Sequence, residues 1–113
     1  MRIWDIPVEK LCRNHLLGEH RELHAIWSIL INNKKGYAHH PETVRWKGKQ
    51  KALYLRHEQL VKEMARRGYH HHSPLELSFA TGYDKQDVYV DSHEEQILLL
   101  RQKKCGCTVS IEL

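Results

Sequence analysis

The sequence predicts a mainly α fold: a small single-domain helical bundle over residues 1–113, with an extended N-terminal segment folded against the first helix and a long loop before a short C-terminal helix. Three observations carry this. Two long stretches repeat their apolar residues at helical spacing, Asn and Gly stop signals close both, and a capping box opens a third, shorter helix. A chain of 113 residues has room for one modest hydrophobic core.

Pro7 suits a helix start, because the N–H it lacks would be unpaired there, and Asp5 favours the positive end. From Val8 to about Asn32 the apolar residues Val8, Leu11, Cys12, Leu16, Leu23, Ile26, Trp27 and Leu30 keep a helical period. Asn32-Asn33-Lys34-Lys35-Gly36 then ends the helix, with lysines at its negative pole. After the connection His39-His40-Pro41, a second helix is expected from about Glu42 to Arg67, closed by Gly68 and carrying Trp46, Leu53, Leu60, Val61 and Met64. Gly48 weakens its first turns. Residues 69–91 show no helical period and read as a long ordered loop of the kind that often serves function. Ser92-His93-Glu94-Glu95 places Ser at an N-cap and Glu three residues on, opening a helix through Ile97, Leu98 and Leu100. The tail from Cys105 to Leu113 is compatible with a short strand.

Composition narrows the function classes. Eighteen Lys and Arg against fourteen Asp and Glu give a net charge of +4, which suits a polyanionic partner without requiring one. No stretch approaches the roughly 18 apolar residues of a membrane span, and the polar start before Pro7 does not resemble a signal peptide. Three cysteines, an odd number with Cys105 and Cys107 one residue apart, fit a reducing cytoplasm better than a disulfide framework.

On a helical wheel at about 100° per residue, Val8, Leu11, Cys12, Ile26 and Leu30 share one arc, with His15, Glu19 and Glu22 in its middle and Leu17 and Arg21 on the far side. Carboxylates on a core-facing stripe are costly unless paired or wet, so this polar stripe is either a site or a network paired with a basic residue of another helix. His20 and His24 stand one turn apart, as in zinc proteases. Glu22, however, lies roughly 200° round the helix from His20, so it cannot serve a metal held by those two. Cys105, Cys107, His39, His40 and the run His70-His71-His72 supply metal-ligand types but no paired set such as Cys-x-x-Cys, and no metal is expected.

The run Leu16-Leu17-Gly18-Glu19-His20-Arg21-Glu22-Leu23, preceded by His15, strongly resembles the pyrimidine-dimer DNA glycosylases of the phage endonuclease V type. Leu60-Val61-Lys62-Glu63-Met64-Ala65-Arg66-Arg67-Gly68-Tyr69 is a second, weaker match. Together they anchor about residues 1–74, leaving 75–113 as loop, short helix and tail. The sequence departs from the family run at His24 and Ala25. The resemblance implies a compact helical DNA-repair enzyme with neither metal nor cofactor, acting on double-stranded DNA with a damaged or abasic nucleotide. In that family the N-terminal α-amine attacks C1′ and a glutamate stabilises the cationic sugar. Carried over, the nucleophile is the amine of Met1, retained because Arg2 is bulky, and the glutamate is Glu22, with His15, Glu19 and Arg21 in support. For the amine to reach Glu22, the first six residues, up to roughly 20 Å when extended, must fold back along the first helix, where Ile3, Trp4 and Ile6 offer apolar side chains to hold them.

Phosphate contacts are expected from Lys34, Lys35, Arg45, Lys47, Lys49, Lys51, Arg66 and Arg67. Two rival readings remain at this level: a non-catalytic nucleic-acid-binding domain on the same scaffold, and a metal-binding helical module resting on the cysteines and histidines.

Overall fold

The apolar period that marks the two long stretches also decides how they pack. In the computed structural model, which describes residues 2–71, 73–103 and 107, α1 spans Arg13–Asn32 and α3 spans Gln50–Arg66. Leu16, Leu23, Ile26 and Trp27 of the first meet Leu53, Leu60 and Met64 of the second in one buried cluster. A short α2, Pro41–Val44, lies between them, and α4, His93–Gln102, follows the long loop. Among the described residues there is no strand, and the fold is mainly α as expected. Residues 104–106 and 108–113, most of the tail read as a possible strand, lie outside the described residues, as do Met1 and His72.

Helix ends follow local chemistry closely. Asn33 closes α1 in the left-handed conformation at φ 50°, and the Lys34 N–H returns to the Ile29 carbonyl at 3.2 Å. Gly68, at φ 85°, closes α3 in a Schellman motif, with Tyr69 N donating to Met64 O at 2.8 Å and Gly68 N to Ala65 O at 3.0 Å. Ser92 accepts from Glu95 N at 3.2 Å, so the capping box forms.

Both long helices start later than their apolar pattern suggests. Val8–Lys10 is a single 3₁₀ turn, and Leu11 and Cys12 are extended before α1 begins. The cause is tertiary: Arg67, at the end of α3, donates to the Leu11 carbonyl at 2.7 Å, giving that oxygen a partner outside any helix. With the helical phase reset there, the buried face of α1 centres on Leu16, Glu19, Leu23, Ile26 and Trp27, and Glu22 sits half-buried at its border.

The second stretch breaks at Gly48, whose φ is 74°. The loop fills the gap. Thr81 O accepts from Lys51 N at 2.8 Å and Tyr83 O from Ala52 N at 3.1 Å, so the loop supplies the cap for the first turn of α3. Tyr83 N in turn donates to Gly48 O at 3.0 Å. Gly82 makes this approach possible: a Cβ there would fall 2.1 Å from the Gly48 carbonyl oxygen, at a φ of 84°.

Gly82→Ala should therefore destabilise the fold by about 2–4 kcal/mol, through backbone collision and strain at positive φ. Gly18→Ala, in a helix interior with nothing within 4 Å of its added carbon, should instead stabilise by about 0.5–1 kcal/mol. Urea midpoints of the two variants, moving in opposite directions, check the pair.

Candidate active site

Residues 3–6 run through the interior with no neighbouring strand among the described residues, so their backbone polar groups find partners elsewhere. Buried side chains from three helices supply them. Ile3 N donates to Glu42 Oε1 at 3.1 Å, Trp4 N to Glu19 Oε1 at 2.8 Å, and Asp5 N to Gln96 Oε1 at 2.8 Å. Arginines take the carbonyls: Arg45 Nη2 donates to Ile3 O at 3.0 Å, while Arg56 Nη2 donates to Trp4 O at 2.5 Å and Ile6 O at 2.9 Å. Ile3, Trp4 and Ile6 are buried, so the segment is fixed by core packing as well as by hydrogen bonds.

Glu19 is the centre of this clamp. Its carboxylate also receives Arg56 Nε at 2.7 Å, and its side chain is fully buried. Burial pushes its carboxyl up from the ordinary range, and the Arg56 guanidinium pulls against that shift. Of the two readings the sequence left open for the polar stripe, Glu19 takes the second, pairing with a basic residue of another helix.

Glu22 differs in kind. It is half-buried, and among the described residues no group hydrogen-bonds or pairs with its carboxylate. It lies between two clefts. One, of about 350 Å³, is lined by Arg2, Trp4, Asn14, His15, Gly18, Glu19, Glu22 and Lys103. The other, of about 520 Å³, brings Glu22 together with Ser28, Lys34, Tyr37 and His40. Arg2 is anchored at the first cleft by Asp91, at 2.6 Å, and stacks on Trp4. Met1, which precedes Arg2 in the chain, lies outside the described residues. The sequence marks His40 only as part of a connection and as a metal-ligand type, and does not single out Tyr37, whose one visible signal is its place after Gly36 in a turn, where it adopts φ 58° with its ring exposed.

His15 reaches the first cleft from the other side and carries further contacts. Its Nδ1 lies 3.2 Å from Cys12 Sγ and 3.1 Å from Cys107 Sγ. Burial, then the charge of Lys103, lowers its pKa, which favours a neutral ring. Arg21 is exposed on α1.

The basic residues divide by role. Lys34, Lys35 and Lys47 are exposed and line one groove of about 680 Å³ along the α1–α2 turn, and Lys51 is exposed on α3. Arg45 does not join them. Its guanidinium is buried and bonded to Glu42, to Asp5, and to the Ile3 and Val88 carbonyls, so it faces the interior rather than a phosphate. Arg67 is likewise committed to the Leu11 carbonyl and to Glu63. Lys49 holds Gln86 at 2.7 Å and Asp87 at 3.2 Å. Arg66 is exposed but ion-paired with Glu63, whose carboxyl it holds below the ordinary range. Glu42 and Glu63 stand within one turn of the arginines they pair, whereas Asp5, Gln86, Asp87 and the Ile3, Leu11 and Val88 carbonyls come from distant parts of the chain.

A second polar assembly stands apart from the clefts. His20 and His24 of α1, His57 of α3 and His71 after α3 bring one ring nitrogen each to within 4.8 Å of all the others. Burial, followed by the neighbouring His24, His71 and His57 rings, pushes His20 down to about 4.

A protein-family model described as pyrimidine dimer DNA glycosylase matches residues 1–77. No curated protein and no solved structure matches the chain. The matched span contains the extended segment, α1, α2 and α3, and so every residue lining the Glu22 clefts except Lys103.

Removing one partner of the Glu19–Arg56 pair leaves a buried charge unpaired, so Arg56→Met should cost about 3–5 kcal/mol. The double variant Glu19→Gln/Arg56→Met should recover part of that loss. Chemical denaturation measures the stability, and faster amide exchange at Trp4 would report release of the segment.

Proposed function

The chain belongs to the pyrimidine dimer DNA glycosylase family, and from that membership we propose that it is a DNA glycosylase with abasic-site lyase activity, acting on double-stranded DNA that carries a pyrimidine dimer-like or abasic nucleotide. In this reading the α-amine of Met1 attacks C1′. A C–N bond forms as the glycosidic bond breaks, and the base leaves with the electron pair and takes up a proton. Opening of the sugar ring gives a Schiff base. Loss of a C2′ proton then breaks the C3′–O bond and releases the 3′ phosphate by β-elimination. Glu22 stabilises the cationic sugar and carries the protons.

The observation that carries this reading is the course of the N-terminal segment. It is clamped along α1 so that Arg2, the residue bonded to Met1, lines the same cleft as Glu22. An α-amine has a pKa near 7.7–8.0, so about a tenth of it is neutral at pH 7, far more than of an ordinary lysine. The contrast between the two glutamates supports the assignment as well. Glu19 is consumed in holding the segment, whereas Glu22 keeps its carboxylate uncommitted at the cleft. The second cleft, with the Tyr37 and His40 rings beside Lys34, suits a base that has left the stack. Lys34, Lys35 and Lys47 are the phosphate contacts we assign to the groove beyond it.

Incubation with abasic or dimer-containing duplex and borohydride should trap a covalent adduct, and peptide mass should place it on the Met1 amine. Acetylation of that amine should abolish it. Glu22→Gln should fold and bind DNA while losing most turnover, by roughly 100-fold or more. An adduct on a lysine that survives acetylation would overturn the mechanism, and absence of any adduct on either DNA would favour a non-catalytic binding domain.

Lys35→Gln and Lys47→Gln should each flatten the salt dependence of DNA affinity by about one unit in log Kd against log salt, whereas Arg45→Gln should disturb folding before it alters that slope. Equilibrium binding at three salt concentrations, with a thermal melt of each variant, separates the two effects.

A further inference from the structure

The four histidines His20, His24, His57 and His71 take no part in the proposed reaction, and Glu22 points away from them round α1. They come from three places in the chain: one turn of α1, the middle of α3, and the stretch after α3. His57 is fully buried and the other three are half-buried. We propose that these four imidazoles form a binding site for a divalent transition-metal cation, zinc being the ion whose coordination they fit, and that the site ties α1, α3 and the start of the long loop together.

The geometry argues first. Nitrogens bound at 2.0–2.1 Å in a tetrahedron lie about 3.3 Å from one another. His20 Nε2 and His24 Nε2 are 3.1 Å apart, and His24 Nε2 and His57 Nε2 are 3.2 Å apart. His71 joins them with its ring centroid 4.6 Å from that of His20 and 4.9 Å from that of His57. All four ligand atoms fall within 4.8 Å of each other, so modest side-chain rotation completes the shell.

Hydrogen bonding alone does not account for this convergence. A ring nitrogen offers either one N–H or one lone pair in the ring plane. His24 Nε2 faces both His20 Nε2 and His57 Nε2 at hydrogen-bond distance, and one in-plane site cannot satisfy both. A cation collects every lone pair at once.

The outer contacts fit the same conclusion. The His57 Nδ1 atom lies 3.0 Å from the Glu58 carboxylate, and the Ser73 backbone bonds the His24 ring. A metal-bound imidazole characteristically gives its second N–H to a carboxylate or carbonyl, which fixes the tautomer and turns the free nitrogen inward. Four protein nitrogens fill a tetrahedral shell and leave no open position, the pattern of a structural rather than a catalytic zinc site. Imidazole sets also accept cobalt, nickel and copper, which makes cobalt a usable spectroscopic probe.

The test uses the full chain, purified without metal affinity and stripped with a chelator. A Cys12→Ser/Cys107→Ser background silences the separate Cys12, His15 and Cys107 group, whose ligand atoms also lie within 4.8 Å of one another. In that background one equivalent of zinc should bind and raise Tm by about 5 °C or more. Cobalt should give the visible bands of a tetrahedral nitrogen site, without a thiolate charge-transfer band. His24→Gln and His71→Gln should each weaken zinc binding at least about 100-fold and remove the Tm increment, and Glu58→Gln should weaken it about 10-fold. Circular dichroism of each metal-free variant checks its fold. Should either histidine variant fail to fold, the stoichiometry, the cobalt spectrum and Glu58→Gln still decide the matter. Absence of binding in the serine background, or parental affinity in folded His24→Gln and His71→Gln, would overturn the site.

Discussion

An extended segment buried among helices has no ladder to satisfy its backbone, and this constraint organises the whole molecule. Three consecutive N–H groups, at Ile3, Trp4 and Asp5, are each met by a buried side chain from a different helix: Glu42 on α2, Glu19 on α1 and Gln96 on α4. Arg45 and Arg56 close the same network from the carbonyl side while neutralising Glu42 and Glu19. Each acid would be costly alone in the interior, and each arginine likewise; together with the backbone they leave little unpaired. The N-terminal segment is thus the element on which α1, α2, α3 and α4 converge.

The same constraint explains which parts were legible in the sequence. Local signals survive intact: the Asn33 and Gly68 terminators, the Ser92 capping box and the apolar period of α1 and α3 all depend on residues within one or two turns. Long-range partners do not. Leu11 leaves the helix because Arg67, 56 residues on, takes its carbonyl. The start of α3 needs the Thr81 and Tyr83 carbonyls of a loop that carries no periodic pattern. Arg45 and Lys49 read as phosphate contacts because the partners that take them, the Ile3 and Val88 carbonyls for Arg45 and Gln86 and Asp87 for Lys49, lie 37 to 43 residues away in sequence.

The candidate site shows the same division. The polar stripe on α1 was visible as a break in the apolar pattern, and its two carboxylates were equivalent at that level. Burial separates them: Glu19 sits under the clamp and Glu22 at the edge between two clefts. The histidines were visible only in part. His20 and His24 carry the one-turn spacing, and setting them against the zinc-protease pattern disqualifies Glu22 as their companion. That comparison says nothing of His57 and His71, which arrive 33 and 47 residues after His24 through the packing of α3 and the turn at Gly68.

Two polar systems therefore flank α1 on different sides and answer different needs. On the Glu22 side, stability comes from the Glu19–Arg56 pair, in which the Glu19 carboxylate accepts three hydrogen bonds and leaves the neighbouring carboxylate available. A chain this small has little apolar surface to spare for an open cleft, so fixing the cleft walls by charge-assisted hydrogen bonds is an economical solution. On the other side the helices meet across imidazoles where a larger protein would place aliphatic side chains. His57 is as deeply buried as Leu53 and Leu60 on the same helix. Polar groups in such a position are costly unless their donors and lone pairs are met, so the α1–α3 contact there depends on what the imidazoles bind. Stability at that contact and chemistry at the Glu22 clefts are thus carried by separate groups on one helix, and either can change without rebuilding the other.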